Sequence, residues 1–177
     1  LAPHPLCLAL ELLGAPERIQ AHVRYGRVLP HAESDELRIL LETPRASGLV
    51  YVSLAAAPRR QYLRVVGTKG SLTVDLLNKW VLAEHSLKGV PKAVSRALTN
   101  LHHGWTMTRG TLGAMGKVLL KRWTPYEGMG LLIREYYASL QEGRRPPVTG
   151  KEAIEVMDVM DETWRQIGPA AVRPVTR

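Results

Sequence analysis

Short stretches of alternating apolar and polar residues fill the chain between residues 17 and 83. Neighbouring side chains point to opposite faces of a β-strand, so this alternation predicts strands that are buried on one face. Turn-forming residues separate the stretches, and the connections are too short for crossover helices, which predicts antiparallel pairing. We therefore expect an open meander, a mainly antiparallel β-sheet with one covered face. The alternating apolar positions are Ile19, Ala21, Val23, Leu37, Ile39, Leu41, Val50, Val52, Leu54, Leu72, Val74 and Leu76.

The segments on either side of the predicted strands have apolar residues at helical spacing. Pro5 at a first helical position and Gly14 as the stop predict a short amphipathic helix before the strands. Thr149 and Glu152 have the spacing of a capping box, which predicts a last helix over residues 151–167. The expected fold is α+β, with helices packed on one face of the sheet. The last helix is expected to bury Ile154, Met157, Met160, Trp164 and Ile167.

Residues 85–125 differ from the rest of the chain in their charge. They contain seven Lys or Arg residues and no Asp or Glu, and their apolar residues recur at helical spacing. This pattern predicts a helical insertion with a basic face. Because glycine destabilises helices, Gly104, Gly110, Gly113 and Gly116 are expected to weaken any long continuous helix in this segment.

The composition narrows the class of protein. The chain has 177 residues, of which 45% are apolar and 23% charged, as in an ordinary folded domain. The 24 Lys and Arg residues against 16 Asp and Glu give a net charge of +8, which allows polyanionic partners. A single cysteine, Cys7, cannot form an internal disulfide, which favours a reducing, cytoplasmic location. No apolar run approaches the length of about 18 residues that spans a membrane.

The motifs of nucleotide-binding and metal enzymes are missing from the sequence. Gly67 and Gly70 lie between two predicted strands, where they favour a hairpin over a phosphate site. No predicted strand precedes Gly128 and Gly130, and Ile133 occupies the third glycine position of the dinucleotide fingerprint. One cysteine and scattered histidines supply no set of metal ligands. We therefore expect no cofactor-binding residue and no metal site in this chain.

His4 is the candidate for proton-transfer chemistry. It lies between Pro3 and Pro5, which restrict the backbone and limit the directions in which the imidazole can point. A held imidazole can act as a general acid or base near neutral pH. A structural role for His4 as a helix cap explains the same position, and the residues alone leave both roles open.

Three stretches resemble segments of the glucose-fructose oxidoreductase, inositol dehydrogenase and MocA (Gfo/Idh/MocA) family. Residues 1–14 resemble the family's D-x-x-x-H motif with the amphipathic helix and L-G that follow it. Residues 65–74 resemble its I-x-G-T-x-G-x-L hairpin. Residues 126–153 resemble its terminal Y…F-x-x-A-[IL]-x-x-G…P-P-V-[ST]-x-x-x-[AG] signature. The order and spacing of the three stretches match those of the family.

The resemblance implies that residues 1–177 form a single C-terminal domain, which shapes the substrate pocket and the subunit interface. The family's N-terminal Rossmann domain, which binds NAD or NADP, would be absent from this chain together with its E-K-P lysine. The aspartate of D-x-x-x-H would fall one residue before Leu1. His4 is the motif residue that carries over as catalytic, since its counterpart in the family assists proton transfer beside the substrate hydroxyl and the nicotinamide.

The leading functional hypothesis is the C-terminal domain of an NAD(P)-dependent oxidoreductase acting on a sugar, cyclitol or related hydroxyl-bearing small molecule. The chain alone is expected to be inactive, and the open sheet face is expected to pair with a second copy. Residues expected on that open face include Leu40, Leu49, Tyr51 and Val66.

The alternative hypothesis is a non-catalytic basic module whose helices contact nucleic acid or an anionic membrane surface. Only Trp105 and Trp123 interleave with the basic residues, and no RNA-binding or helix-turn-helix signature is present, so nucleic acid is not expected. A membrane surface stays open as a partner.

Overall fold

The computed structural model describes residues 3–24, 35–85, 89, 91–120 and 127–168. These residues form four helices and six strands. In chain order they are α1 (Pro3–Leu13), β1 (Arg18–Arg24), β2 (Glu36–Glu42), β3 (Ser47–Ser53), β4 (Tyr62–Gly67), β5 (Gly70–Asp75), β6 (Trp80–Glu84), α2 (Lys92–Leu119), α3 (Glu127–Glu142) and α4 (Gly150–Ile167). The chain divides into two compact units, one of Leu1–Ala56 with Gly128–Arg177 and one of Ala57–Glu127.

The strands confirm the α+β class and the antiparallel pairing that the alternating pattern predicts. They form two three-stranded sheets, β1-β2-β3 and β4-β5-β6, and every pairing in them is antiparallel. This differs from the single meander that we expected. The two sheets are separated by residues 54–61, where Pro58 has no backbone N–H to continue a strand ladder.

The core of the first unit lies between the sheet β1-β2-β3 and the helices α1 and α4. Ile39 pairs with Ala21 on one side and with Val50 on the other, so the predicted apolar positions share one face. The helices cover that face, as expected. The buried core consists of Leu6, Ile39, Leu41, Val50, Val156, Val159 and Met160.

The predicted buried face of α4 is wrong in most of its residues. The helix begins as expected, because Thr149 accepts a hydrogen bond from the Glu152 backbone N–H and donates its own N–H to the Glu152 carboxylate. Met160 is buried as predicted and Ile167 is half-buried. The three other predicted residues are exposed: Ile154, Met157 and Trp164.

Two apolar stripes on α4 explain this difference. The stripe that packs in the core contains Val156, Val159 and Thr163. Thr163 can be fully buried because its hydroxyl donates a 2.7 Å hydrogen bond to the Val159 carbonyl oxygen. The apolar pattern of the sequence does not show which of the two stripes faces inward.

In the second unit, α2 packs on β6 of the sheet β4-β5-β6. It is one continuous helix of 28 residues. The expectation that its four glycines would weaken a long helix is therefore wrong. Gly110 lies on the side toward the sheet, because a β-carbon at this position would lie 3.5 Å from Cβ of Trp80. Packing against β6 thus offsets the poor helix propensity of the segment.

Asp75 organises the turn between β5 and β6. The carboxylate is fully buried and accepts hydrogen bonds from the backbone N–H groups of Leu77 and Asn78 and from the Asn78 side-chain amide. Burial raises the pKa of Asp75, but these hydrogen bonds and the charge of Arg60 outweigh it and hold the pKa below its usual value.

We expect Asp75→Ala to destabilise the fold by about 1–3 kcal/mol at neutral pH, because it leaves backbone donors without an acceptor. A carboxyl whose pKa is lower in the folded state contributes stability above its unfolded pKa of about 3.9. The contribution disappears as the pH falls through the folded pKa, so the difference between wild type and variant should shrink in acid. Urea denaturation across this pH range measures it. The control is Asp158→Ala on the exposed face of α4, and an equal loss there would contradict the expectation.

Candidate active site

His4 is the second residue of α1 and its side chain is exposed. Leu6, two residues later, is fully buried in the core of the first unit. Two residues correspond to about 200° around an α-helix, so the two side chains point in nearly opposite directions. The same helical turn therefore holds the backbone against the core through Leu6 and presents the His4 imidazole to solvent.

The surroundings of His4 leave its ring nitrogens available for a reactant. Among the residues that the structure describes, His4 makes no hydrogen bond or ion pair, including the side-chain bond that a capping residue would make. Cys7 and Glu11 are exposed on the same side of α1, and Cys7 is a free thiol. The described part of the chain contains no cluster of three metal-ligating side chains. The exposed imidazole is therefore a group on this side of α1 that could exchange a proton with a reactant.

The glycines that could suggest a phosphate site have other roles where the structure describes them. Gly67 and Gly70 are paired at the β4-β5 hairpin. Gly128 and Gly130 lie in the first turn of α3, and no described strand leads directly into that helix. The described residues thus provide no strand, glycine-rich loop and helix of the kind that holds a dinucleotide. They do not fit NAD or NADP as a resident cofactor.

Gly70 is required by the close approach of β6. A β-carbon at this position would overlap the backbone carbonyl oxygen of Glu84, whereas one at Gly67 would lie 3.7 Å from the nearest backbone oxygen. We expect Gly70→Ala to lower the free energy of unfolding by about 1–3 kcal/mol. Gly67→Ala is the matched control, with an expected change within about 0.5 kcal/mol. Thermal denaturation compares the two, and equal effects would contradict the assignment.

A cluster of polar side chains in the second unit was not foreseen from the sequence. The Ser71 hydroxyl donates a 2.5 Å hydrogen bond to Oε2 of Glu84, and Oε1 of Glu84 lies 3.6 Å from Nε2 of His103. A nucleophilic triad needs the histidine beside the serine, whereas here the carboxylate lies between them. The cluster therefore links β5, β6 and α2 and does not activate Ser71. Its members are 13 to 32 residues apart in sequence and form no motif.

Leu1 and Trp123, which the sequence analysis names, lie outside the described residues. The same holds for residues 86–88, 90 and 121–125 of the basic segment.

The sequence model of the GFO/IDH/MocA C-terminal domain matches residues 1–73. Residues 1–73 are thus similar to the C-terminal domain of the GFO/IDH/MocA family. The matched segment contains α1 with His4, the whole sheet β1-β2-β3 and the β4-β5 hairpin up to Thr73. The resemblance that the sequence motifs indicated is therefore confirmed.

Comparison with solved structures gives a similar fold over a longer range. A crystal structure of a Klebsiella pneumoniae protein named "putative oxidoreductase" covers 94% of this chain with a TM-score of 0.52 and 18% identity. At this identity the likeness concerns the fold alone. The chain spans 46% of the length of that protein. No sequence among the curated proteins matches this chain. Within the described residues, no helix is both long and apolar enough to cross a membrane.

Proposed function

We propose that the chain is the substrate-side, C-terminal domain of an NAD(P)-dependent oxidoreductase acting on a sugar, cyclitol or related hydroxyl-bearing small molecule. One observation carries the proposal. The family match begins at residue 1 and includes His4, which α1 presents to solvent from a helix anchored by the buried Leu6. His4 thus presents an exposed imidazole at the position of the histidine in the family's D-x-x-x-H motif.

In the proposed reaction, a substrate hydroxyl donates its proton to a ring nitrogen of His4. The carbon that bears this hydroxyl loses a hydride and becomes a carbonyl carbon. Imidazole suits this step because it can accept and release a proton under physiological conditions. The dinucleotide supplies the hydride acceptor when it is bound. We assign its binding to a Rossmann domain elsewhere in the parent protein, since the described residues of this chain do not fit it. The single cysteine is consistent with a cytoplasmic parent.

The experiment is a turnover assay of the full-length parent with NAD or NADP and a panel of sugars and cyclitols. We expect reduced nicotinamide to form with at least one of them. The purified 177-residue chain is the control and is expected to give none, because its described residues do not provide a dinucleotide site. Turnover by the chain alone would contradict the assignment of dinucleotide binding to a separate domain. A parent that binds neither dinucleotide would overturn the proposal as a whole.

We further propose that the open face of the sheet β1-β2-β3 pairs with a second copy. The face opposite the core carries Leu49 and Tyr51, whose side chains are 66% and 52% exposed, beside the half-buried Leu40. The guanidinium of Arg38 lies 5.7 Å from the centre of the Tyr51 ring, so this face combines apolar and charged groups as protein interfaces do. Val66, which we had expected on the same face, is exposed on the other sheet.

Self-association through this face predicts that Leu49→Asp with Tyr51→Asp lowers the average mass of the protein in light scattering at high micromolar concentration. The association is weakened because the two carboxylates would be buried in the interface without a partner of opposite charge. The control is the same pair of changes at exposed Leu12 and Met157, which lie elsewhere on the first unit. A wild-type monomer at that concentration would contradict this pairing.

A further inference from the structure

The long helix α2 exposes a continuous apolar stripe. Its side chains are between 48% and 79% exposed. The spacing alternates between three and four residues, which is the heptad pattern of positions a and d in coiled coils. Thr108 occupies the one position of the series that is not apolar. The apolar members are Val94, Leu98, Leu101, Trp105, Leu112, Met115 and Leu119.

Only the end of the stripe lies near its own sheet, where Met115 and Leu119 line a cavity with Leu77 and other residues. The helix faces β6 with its other side, where Gly110 approaches Trp80 and His103 approaches Glu84. Small and polar residues thus make the internal contact, while large apolar residues face outward. This is the reverse of the usual arrangement in a helix that only covers a sheet.

We propose that α2 pairs with α2 of a second copy as an antiparallel two-helix coiled coil. The stripe is symmetric about its midpoint, so an antiparallel pair places every a position against a d position. Trp105 then lies against Thr108 of the second copy, a large residue against a small one, and Leu101 lies against Leu112. A parallel pair would instead place two tryptophans against each other in one layer.

The charges of α2 favour a second helix over a lipid surface. The seam contains no charged residue, and Arg96 lies on the side of the helix opposite to it. An interfacial membrane helix is rich in Lys and Arg on its polar face, whereas the 28 residues of α2 contain four of them. Arg109 flanks the seam, and in the antiparallel pair it meets His102 of the second copy. No two arginines or lysines therefore meet across the seam.

The stripe is large enough for a dimer of moderate affinity. A helix of 28 residues is about 42 Å long and holds four heptads. Seven exposed side chains at roughly 60–120 Å² each would bury on the order of 500 Å² per copy. Stable interfaces bury about 800 Å² per partner, so α2 pairing alone fits a reversible contact that a second interface reinforces.

Cysteine cross-linking tests both the contact and its direction. In the full chain with Cys7→Ser, the double variant Leu101→Cys/Leu112→Cys should form a covalent dimer under mild oxidation. The two positions lie about 16 Å apart along one helix, which is beyond the reach of a disulfide within one chain. Each single variant should give only background dimer, because its cysteine faces a leucine. The matched control is Arg96→Cys/Met107→Cys, with the same spacing on the rest of the helix surface.

Each other result contradicts the proposal. Cross-linking of the single variants to the level of the double variant would indicate a parallel pair. Cross-linking of the control pair to the same level would indicate random collision. No dimer from the double variant, or a dimer that disappears in the full-length parent, would show that α2 faces something other than a second copy. Sedimentation of the uncross-linked chain with anionic vesicles at low salt would identify that partner as a lipid surface.

The contact on α2 can be separated from the sheet pairing proposed above. Leu101→Asp/Leu112→Asp should lower the average mass in sedimentation, with the Leu49 and Tyr51 side chains left intact. If this variant keeps the wild-type mass while the sheet variant loses it, α2 pairing is overturned and sheet pairing stands.

Discussion

Replacing His4 by alanine in the full-length parent is expected to lower turnover by about two to four orders of magnitude. This is the usual contribution of a positioned general acid or base. Folding should be unaffected, because the His4 side chain is exposed and makes no hydrogen bond or ion pair to another described residue. The measurement is steady-state turnover together with a thermal denaturation curve of the same preparation.

The control for this experiment is His102→Ala. His102 is also an exposed helical histidine, but it lies on α2 and outside the proposed active site. Its replacement should leave turnover within about twofold of wild type, since nothing in the proposed reaction uses it. Loss of stability with intact turnover in His4→Ala would favour the structural role for His4. A dependence of turnover on pH that is unchanged by His4→Ala would also argue against proton transfer through this imidazole.

The second large effect is expected from Leu6→Ala, which removes the core anchor of α1. Leu6 is fully buried, and truncation of such a leucine costs about 2–5 kcal/mol. Because α1 also carries His4, the parent enzyme should lose turnover at temperatures where the domain is still folded. Urea denaturation and turnover are measured side by side.

Leu12→Ala on the same helix is the matched control. The Leu12 side chain is exposed, so the loss of stability should be within about 0.5 kcal/mol. If Leu6→Ala and Leu12→Ala have equal effects, α1 is not anchored in the way described. If Leu6→Ala destabilises the domain but leaves turnover intact at all temperatures, the link between the core and the position of His4 is wrong.

The strands and their antiparallel pairing were predictable because their signal is local, whereas their division into two sheets was not. Residues such as Ile19, Ala21 and Val23 alternate with polar neighbours, and this period alone determines which side chains share a face. The start of α4 was predictable for the same reason, since Thr149 and Glu152 act on each other across one helical turn. The motif around His4 was also visible, although its exposure and the burial of Leu6 required the structure.

Features that depend on contacts between distant residues could not be predicted. Gln166 accepts a hydrogen bond from the Ala21 backbone N–H and donates one to the Ile19 carbonyl oxygen, which satisfies backbone groups of β1 from α4. No local pattern relates residues 145 positions apart. The inward stripe of α4 and the continuity of α2 have the same origin, because each depends on which neighbouring element covers the helix.

The most direct test of the account is a crystal structure of the full-length parent with a dinucleotide and a hydroxyl-bearing substrate. We predict that a ring nitrogen of His4 lies about 2.6–3.2 Å from the substrate hydroxyl whose carbon faces the nicotinamide. The exposed side of α1 should form part of the substrate pocket. A substrate bound elsewhere, with His4 facing bulk solvent in the complex, would contradict the assignment of this domain to the substrate side of the active site.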